Sequence, residues 1–204
     1  MNEKEINANE LYELLESISE YIEIEVQMYA LGGTALTILG VKQSTRDIDI
    51  NINSSKQYNY IREIFEKIGF KNNRSLRWFT QEGLAFDLFH GSNILGTQLM
   101  DDCLKLSKFI RKIGNIELYT LSLYDIIISK LARGDERDFI DIKHIFEKEN
   151  ILLKVLIERY IKTMEVSIGG QHKQKLLDLI EIKFSDWKFK KDDKLINMVK
   201  EWKE

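Results

Sequence analysis

The sequence predicts an α+β fold: an α/β front over residues 1–120 and an all-helical back over 121–204. Three observations carry that expectation. Residues 47–52, Asp-Ile-Asp-Ile-Asn-Ile, alternate polar and apolar without a break, the two-residue period of a half-buried strand. Ile61, Ile64, Phe65 and Ile68 then recur at i, i+3, i+4 and i+7, the stripe of an amphipathic helix. From Arg137 onward only helical periods occur.

The elements follow in order. Leu11, Leu14, Leu15, Ile18 and Ile22 share a face and predict a helix over 8–22. A strand over 25–31 runs into Gly32-Gly33, and a small helix over 34–40 closes at Gly40. The strand at 47–52 leads to a helix from Lys56 to Ile68. Strands over 75–80 and 84–89 are joined through Glu82-Gly83, a hairpin-like turn. Two more strands within 104–120 turn at Gly114-Asn115. Ser122 and Asp125 form a capping-box-like start for a helix over 123–133, which Gly134 stops. Further helices fit 138–148, 152–164, 171–183 and 192–203, with no Pro- or Ser-rich linker before them and no internal repeat.

Composition excludes several classes. The chain has 204 residues, 44% of them hydrophobic, with 30 Lys and Arg against 33 Asp and Glu, an ordinary globular balance. A single cysteine, Cys103, rules out an internal disulfide framework, and its expected state is a small, at least partly buried residue. His90, His144 and His172 lie far apart, so a zinc site of the His/Cys kind is not credible. No apolar run approaches a membrane span, and no secretory leader opens the sequence, so the expected location is cytoplasmic. Charge is uneven: the first 30 residues carry eight Glu and one Lys, which leaves the remainder mildly basic. An acidic leading helix is most simply a solvated face, and the mild basic excess permits a polyanionic substrate.

The chemistry concentrates between Leu31 and Ile50. Side chains two apart on a strand share a face, so Asp47 and Asp49 point together while Ile48 and Ile50 point to a core. Paired carboxylates repel unless a cation sits between them, and hard oxygen ligands at this spacing suit Mg²⁺. Upstream, Gly32-Gly33-Thr34 forms a strand-to-helix turn, where glycine lets the backbone approach a ligand and the helix N-terminus offers N–H groups to phosphate. Thr34 can cap that helix or donate its hydroxyl. Asp87 sits in the otherwise apolar Leu84-Ala-Phe-Asp-Leu-Phe89 and calls for a partner, exposure or a metal. If that strand lies beside 47–52, three carboxylates converge on one site, a cradle for two-metal phosphoryl transfer.

Gly32-Gly33-Thr34, twelve residues, Asp47-Ile48-Asp49 and the later Asp87 together resemble the signature of the polymerase-β-type nucleotidyltransferase superfamily. The stretch from Leu121 to Ile142 is similar to the downstream motif of AbiEii-like abortive-infection toxins, a Lys-bearing helix followed by Arg-Asp-x-x-Asp, here Lys130, Arg137, Asp138 and Asp141. The resemblance covers about residues 25–145. It implies a small mixed-sheet nucleotidyltransferase core followed by a C-terminal helical bundle. It implies transfer of a nucleoside monophosphate from an NTP to an acceptor hydroxyl with release of pyrophosphate. Asp47, Asp49 and Asp87 would hold Mg²⁺, with Asp87 also helping to deprotonate the acceptor, while Gly32, Gly33 and Thr34 cradle phosphates. Lys130 would neutralise the triphosphate, Arg46 or Arg137 would assist, and Asp138 would orient Lys130. The implied acceptor is tRNA or another RNA, with the protein acting as a toxin beside a cognate antitoxin. A protein hydroxyl, an antibiotic-like small molecule or a non-catalytic NTP-binding module are the alternatives.

Simpler accounts stand beside these. Asp-Ile-Asp alone fits a solvated edge strand. Arg46 fits a local ion pair with Asp47, and Lys130, Arg133 and Arg137 fit a solvated helix face. Trp187 and Trp202, around Lys188-Phe-Lys-Lys191, fit helix packing better than base stacking. Lys105, Lys108, Arg111, Lys112, Lys130 and Arg133 could together form a local basic patch for RNA.

Overall fold

A computed structural model describes residues 5–73, 76–167 and 170–203, and it divides into two compact units. The first comprises Met1–Ile94 with Asp101–Ser122, and the second Leu95–Met100 with Leu123–Glu204. The fold is mixed α+β.

In chain order the first unit contains β1 (Ile6–Asn7), α1 (Ala8–Ser19), β2 (Val26–Ala30), α2 (Gly32–Ile38), β3 (Ser44–Thr45), β4 (Asp47–Asn51), α3 (Ser55–Lys67), β5 (Lys71–Asn72), β6 (Arg77–Phe79), β7 (Ala85–Phe89) and β8 (Asn93–Ile94). After β9 (Thr97–Gln98), which belongs to the second unit, β10 (Lys108–Ile113) and β11 (Ile116–Thr120) complete it. Seven strands form one mixed sheet in the order β10-β11-β2-β4-β7-β6-β5. The β4–β7 and β11–β2 pairs are parallel, and the others are antiparallel.

The two faces of this sheet are chemically different. Ile48 and Ile50 of β4, Phe86 and Leu88 of β7, and Trp78 of β6 are buried on one face. Phe65 of α3 packs there, its ring 4.9 Å from Phe86 and 5.5 Å from Trp78 in edge-on geometry. Such pairs add to the area that burial removes from water. The other face carries Asp47, Asp49 and Asn51, in register with Ala85, Asp87 and Phe89. Because β4 is fourth of seven strands, its carboxylates lie mid-sheet and not on a solvated edge.

The second unit contains α4 (Leu123–Arg133), α5 (Glu136–Lys148), α6 (Leu153–Met164), α7 (His172–Leu177), α8 (Phe184–Asp186) and α9 (Asp193–Glu201). Its core includes Ile127, Leu131, Ile142, Leu156, Tyr160, Leu179 and Val199. Asp125 is fully buried, and Arg159 of α6 grips it with Nε–Oδ1 at 2.7 Å and Nη2–Oδ2 at 3.0 Å. So the carboxylate expected at a capping box ties two helices together, which desolvation permits only because both oxygens are satisfied.

Differences from expectation lie mainly at element ends. The small helix begins at Gly32 and not at residue 34, since Leu31 is its N-cap. The helix expected over 171–183 splits: α7 gives way to a π-helical stretch, Asp178–Lys183, before α8. Ser75, the first residue of an expected strand, lies outside the described residues. Trp187 packs against Phe184 and Phe189, and Trp202 against Tyr160, so both are packing residues. Cys103 is buried. No helix among the described residues is long and apolar enough to cross a membrane.

Candidate active site

The Gly-Gly-Thr turn is stitched to β4. Leu31 donates its N–H to the Asp49 carbonyl at 3.0 Å. The buried Thr34 hydroxyl donates to the Asp47 carbonyl at 3.1 Å and accepts the Asp49 N–H at 2.9 Å. Thr45 donates to the same Asp47 carbonyl at 3.0 Å. A Cβ at Gly33 would stand 2.8 Å from the Thr45 hydroxyl oxygen, closer than packing allows. Gly32 has φ 47°, a left-handed backbone that suits glycine. Thr34 therefore spans to the strand, where its hydroxyl fixes the backbone on both sides of Ile48.

The three carboxylates share the polar face. Asp49 and Asp87 are register partners on the parallel strands β4 and β7, and Asp47 is one step along. A residue that the sequence reading missed stands among them. Arg77 of β6 is the antiparallel partner of Asp87. It donates Nε to Oδ1 at 2.8 Å and Nη2 to Oδ2 at 2.6 Å, a two-pronged fork. The same Nη2 lies 3.5 Å from Asp47 Oδ1. The hydrogen bonds Arg77 donates to Asp87 raise its affinity for its proton, burial opposes that, and the charges of Asp87, Asp47 and Asp49 reinforce it. Asp47 and Arg77 are 46% and 41% exposed at the side chain, so this cluster is open to ligands.

A signal for Arg77 existed. A hairpin centred on Glu82 sets the residues five positions either side, Arg77 and Asp87, opposite one another. A turn read as Glu82-Gly83 leaves that register open by one residue.

Among the described residues no group of three Asp, Glu, His or Cys side chains is drawn together as a metal cage. The donor chemistry nonetheless fits a hard divalent cation: carboxylate oxygens on adjacent strands whose shared countercharge is a guanidinium.

The other site expectations fall elsewhere. Arg46 is exposed and pairs with Glu5 at 3.3 Å. Arg137 is exposed on the first turn of α5. Lys130 is buried in the second unit, where its Nζ donates to Asp141 at 2.6 Å and Asp138 at 3.3 Å. Arg133 also forks onto Asp138, and the Asp135 N–H reaches it at 3.3 Å. Burial pushes the Asp138 carboxyl up, but the hydrogen bond from Arg133 and the charges of Lys130 and Arg133 outweigh it and hold it below its ordinary value. Two further cations of the expected basic patch are engaged: Arg111 lies over the Tyr12 ring, 4.7 Å from its centroid, and Lys112 pairs with Glu25.

Two other features share the polar face of the first unit. A cavity of about 380 Å³ is lined by Gln27, Tyr29, Asn53, Ser54, Gln57 and Lys105, together with Leu104. Tyr29 stacks on Tyr119 with centroids 5.0 Å apart. Asn51, the register partner of Tyr29, is fully buried, and neither its amide oxygen nor its nitrogen has a partner among the described residues. His90 donates Nδ1–H to the Ile52 carbonyl at 2.8 Å and meets the Ser55 hydroxyl at 3.1 Å.

Comparison with known proteins gives one family. A family model described as "Nucleotidyltransferase of unknown function (DUF6036)" matches residues 9–192. What matches is the nucleotidyltransferase class; the AbiEii-like branch suggested by Lys130 and the Arg137–Asp141 element is not what that model describes. No curated protein matches. A solved structure from Thermotoga maritima, described as a candidate nucleotidyltransferase, is 15% identical. That match covers 73% of this chain and 100% of its own, with a TM-score of 0.45.

Proposed function

Because this chain belongs to the nucleotidyltransferase family of unknown function that residues 9–192 match, we propose that it transfers a nucleoside monophosphate from an NTP to an acceptor hydroxyl, releasing pyrophosphate. The observation that carries the reading is the set Asp47, Asp49 and Asp87 on one face of the neighbouring strands β4 and β7, with Asp49 and Asp87 in register and the Arg77 guanidinium as countercharge.

In this reading Asp47 and Asp49 hold Mg²⁺ and Asp87 completes a second metal position. Metal bound there would neutralise the triphosphate and make the acceptor hydroxyl easier to deprotonate. In this reading Asp87, once released by Arg77, would also help to deprotonate the acceptor hydroxyl. Backbone N–H groups of the Gly32-Gly33 turn would face the phosphates, with the exposed Arg46 of the same unit as the assisting cation. Thr34 contributes by fixing β4 and not by touching phosphate. Lys130, whose charge is answered by Asp138 and Asp141, is assigned to the helical unit's stability.

An RNA hydroxyl is the acceptor in this reading. Its support is the cavity beside Tyr29, where Asn53, Ser54 and Lys105 bring polar and basic side chains of the kind a nucleotide meets. Action as a toxin with a cognate antitoxin rests on the AbiEii-like resemblance alone.

The test incubates the protein with Mg²⁺ and each α-labelled NTP, with and without total RNA, and with Asp47→Asn as control. Label on RNA from wild type alone supports the reading. Label on protein moves the acceptor to a side-chain hydroxyl. A second reading, an NTP-binding module without turnover, is favoured by the Arg77 guanidinium already seated on Asp87. NTP binding without pyrophosphate release, for every acceptor class tried, would select it.

A further inference from the structure

The carboxylate cluster already has a cation. Arg77 covers both oxygens of Asp87 with a fork of two short hydrogen bonds and reaches Asp47 with the same nitrogen. A divalent ion bound by those carboxylates would sit within a few ångströms of this guanidinium. Two cations so close repel strongly where water only partly screens them. The contacts Arg77 makes are also the ones a metal needs, since Asp87 has no third oxygen to offer.

We propose that Arg77 and the divalent cation are mutually exclusive occupants of the Asp87–Asp47 site, so that metal loading requires the guanidinium to let go of Asp87. The inference rests on the reading of Asp47, Asp49 and Asp87 as metal ligands. Arg77 holds the cluster together when no metal is bound, because without a countercharge the carboxylates would repel one another. Its partial exposure gives the released side chain room to move toward solvent. Metal affinity of the resting protein is accordingly set below what three carboxylates would otherwise achieve.

The experiment titrates Mn²⁺, as a calorimetric and paramagnetic probe, into wild type, Arg77→Gln and Arg77→Lys in the absence of nucleotide. Arg77→Gln is expected to bind Mn²⁺ at least about tenfold more tightly than wild type, and adding Asp87→Asn should erase the gain. Arg77→Lys keeps the charge but loses the fork, and falls between the two. Thermal melts give a second readout: Mn²⁺ should raise the melting temperature of Arg77→Gln more than that of wild type. If Arg77→Gln does not fold, Arg77→Lys carries the test alone through its tighter Mn²⁺ binding. Equal or weaker binding in the Arg77 variants, with wild-type binding still lost in Asp47→Asn/Asp49→Asn, would overturn this inference and leave the metal reading intact. No Mn²⁺ binding in any variant overturns both.

Discussion

Two clusters in this protein are built from the same groups, aspartates gripped by a half-exposed arginine, and they differ in how far their carboxylates reach water. On the sheet, Arg77 forks onto Asp87 and touches Asp47, with side chains 41% and 46% exposed for Arg77 and Asp47. Between α4 and α5, Lys130 and Asp138 are 3% and 2% exposed, and Asp141 accepts from Lys130 at 2.6 Å. The sealed cluster has its carboxylates buried and satisfied by Lys130 and Arg133, so they are closed to a ligand. The open one keeps its countercharge at a surface where another cation can replace it. Residue type does not separate a site from a structural knot; exposure and the possibility of exchanging the partner do.

The largest effect should come from the open cluster. Asp47→Asn with Asp49→Asn is expected to lower nucleotide transfer by at least about 10³-fold, roughly 4 kcal/mol of transition-state stabilisation. Circular dichroism and melting temperature should stay close to wild type. Retained transfer would dissolve the contrast by removing the site from the sheet.

In the sealed cluster the effect moves from activity to stability. Lys130→Met leaves Asp141 without its ammonium and is expected to cost about 3–5 kcal/mol in urea unfolding, as for a broken buried ion pair. A loss well below ~1 kcal/mol would mean that water reaches the cluster.

A smaller, pH-dependent effect sharpens this. Asp138 is held below its ordinary 3.8 in the fold. Its depressed value contributes stability that is complete above the unfolded pKa and fades as pH falls through the folded one. The urea midpoint should therefore drop between pH 5 and pH 3, and the drop should be shallower in Asp138→Asn. An equally steep drop in that variant would remove Asp138 as the cause.

A smaller stability change is expected for Arg77→Gln without metal, about 1–2 kcal/mol, because Arg77 is 41% exposed but the Asp87 it leaves unpaired is only 15% exposed. A loss as large as that of Lys130→Met would make the two clusters energetically alike.

What could be read in the sequence follows the same division. The strand at 47–52 was legible because alternation is a local signal, and the end of α4 was legible from Gly134. The pairing of Asp49 with Asp87 required only that two strands be neighbours. Arg77 was hidden, since its partner depends on where the hairpin turns. The burial of Lys130 was hidden more deeply. A lysine on an amphipathic helix defaults to solvent, and only the folding of α5 back across Gly134 brings Asp138 and Asp141 to it. Asn51 continued the strand's alternation, and nothing local marked its side chain as buried with no partner among the described residues.

The Thr34 hydroxyl has a mechanical consequence. It is a strut with one end on the Asp47 carbonyl and the other on the Asp49 N–H, and Gly33 lies flush against Thr45 beside it. The glycine turn and the two carboxylates thus form a single rigid part, like a jaw and its hinge plate cut from one piece. Whatever settles on the turn rests beside the acids it is tied to, and a side chain added at Gly33 would push on the Thr45 hydroxyl that holds the Asp47 carbonyl.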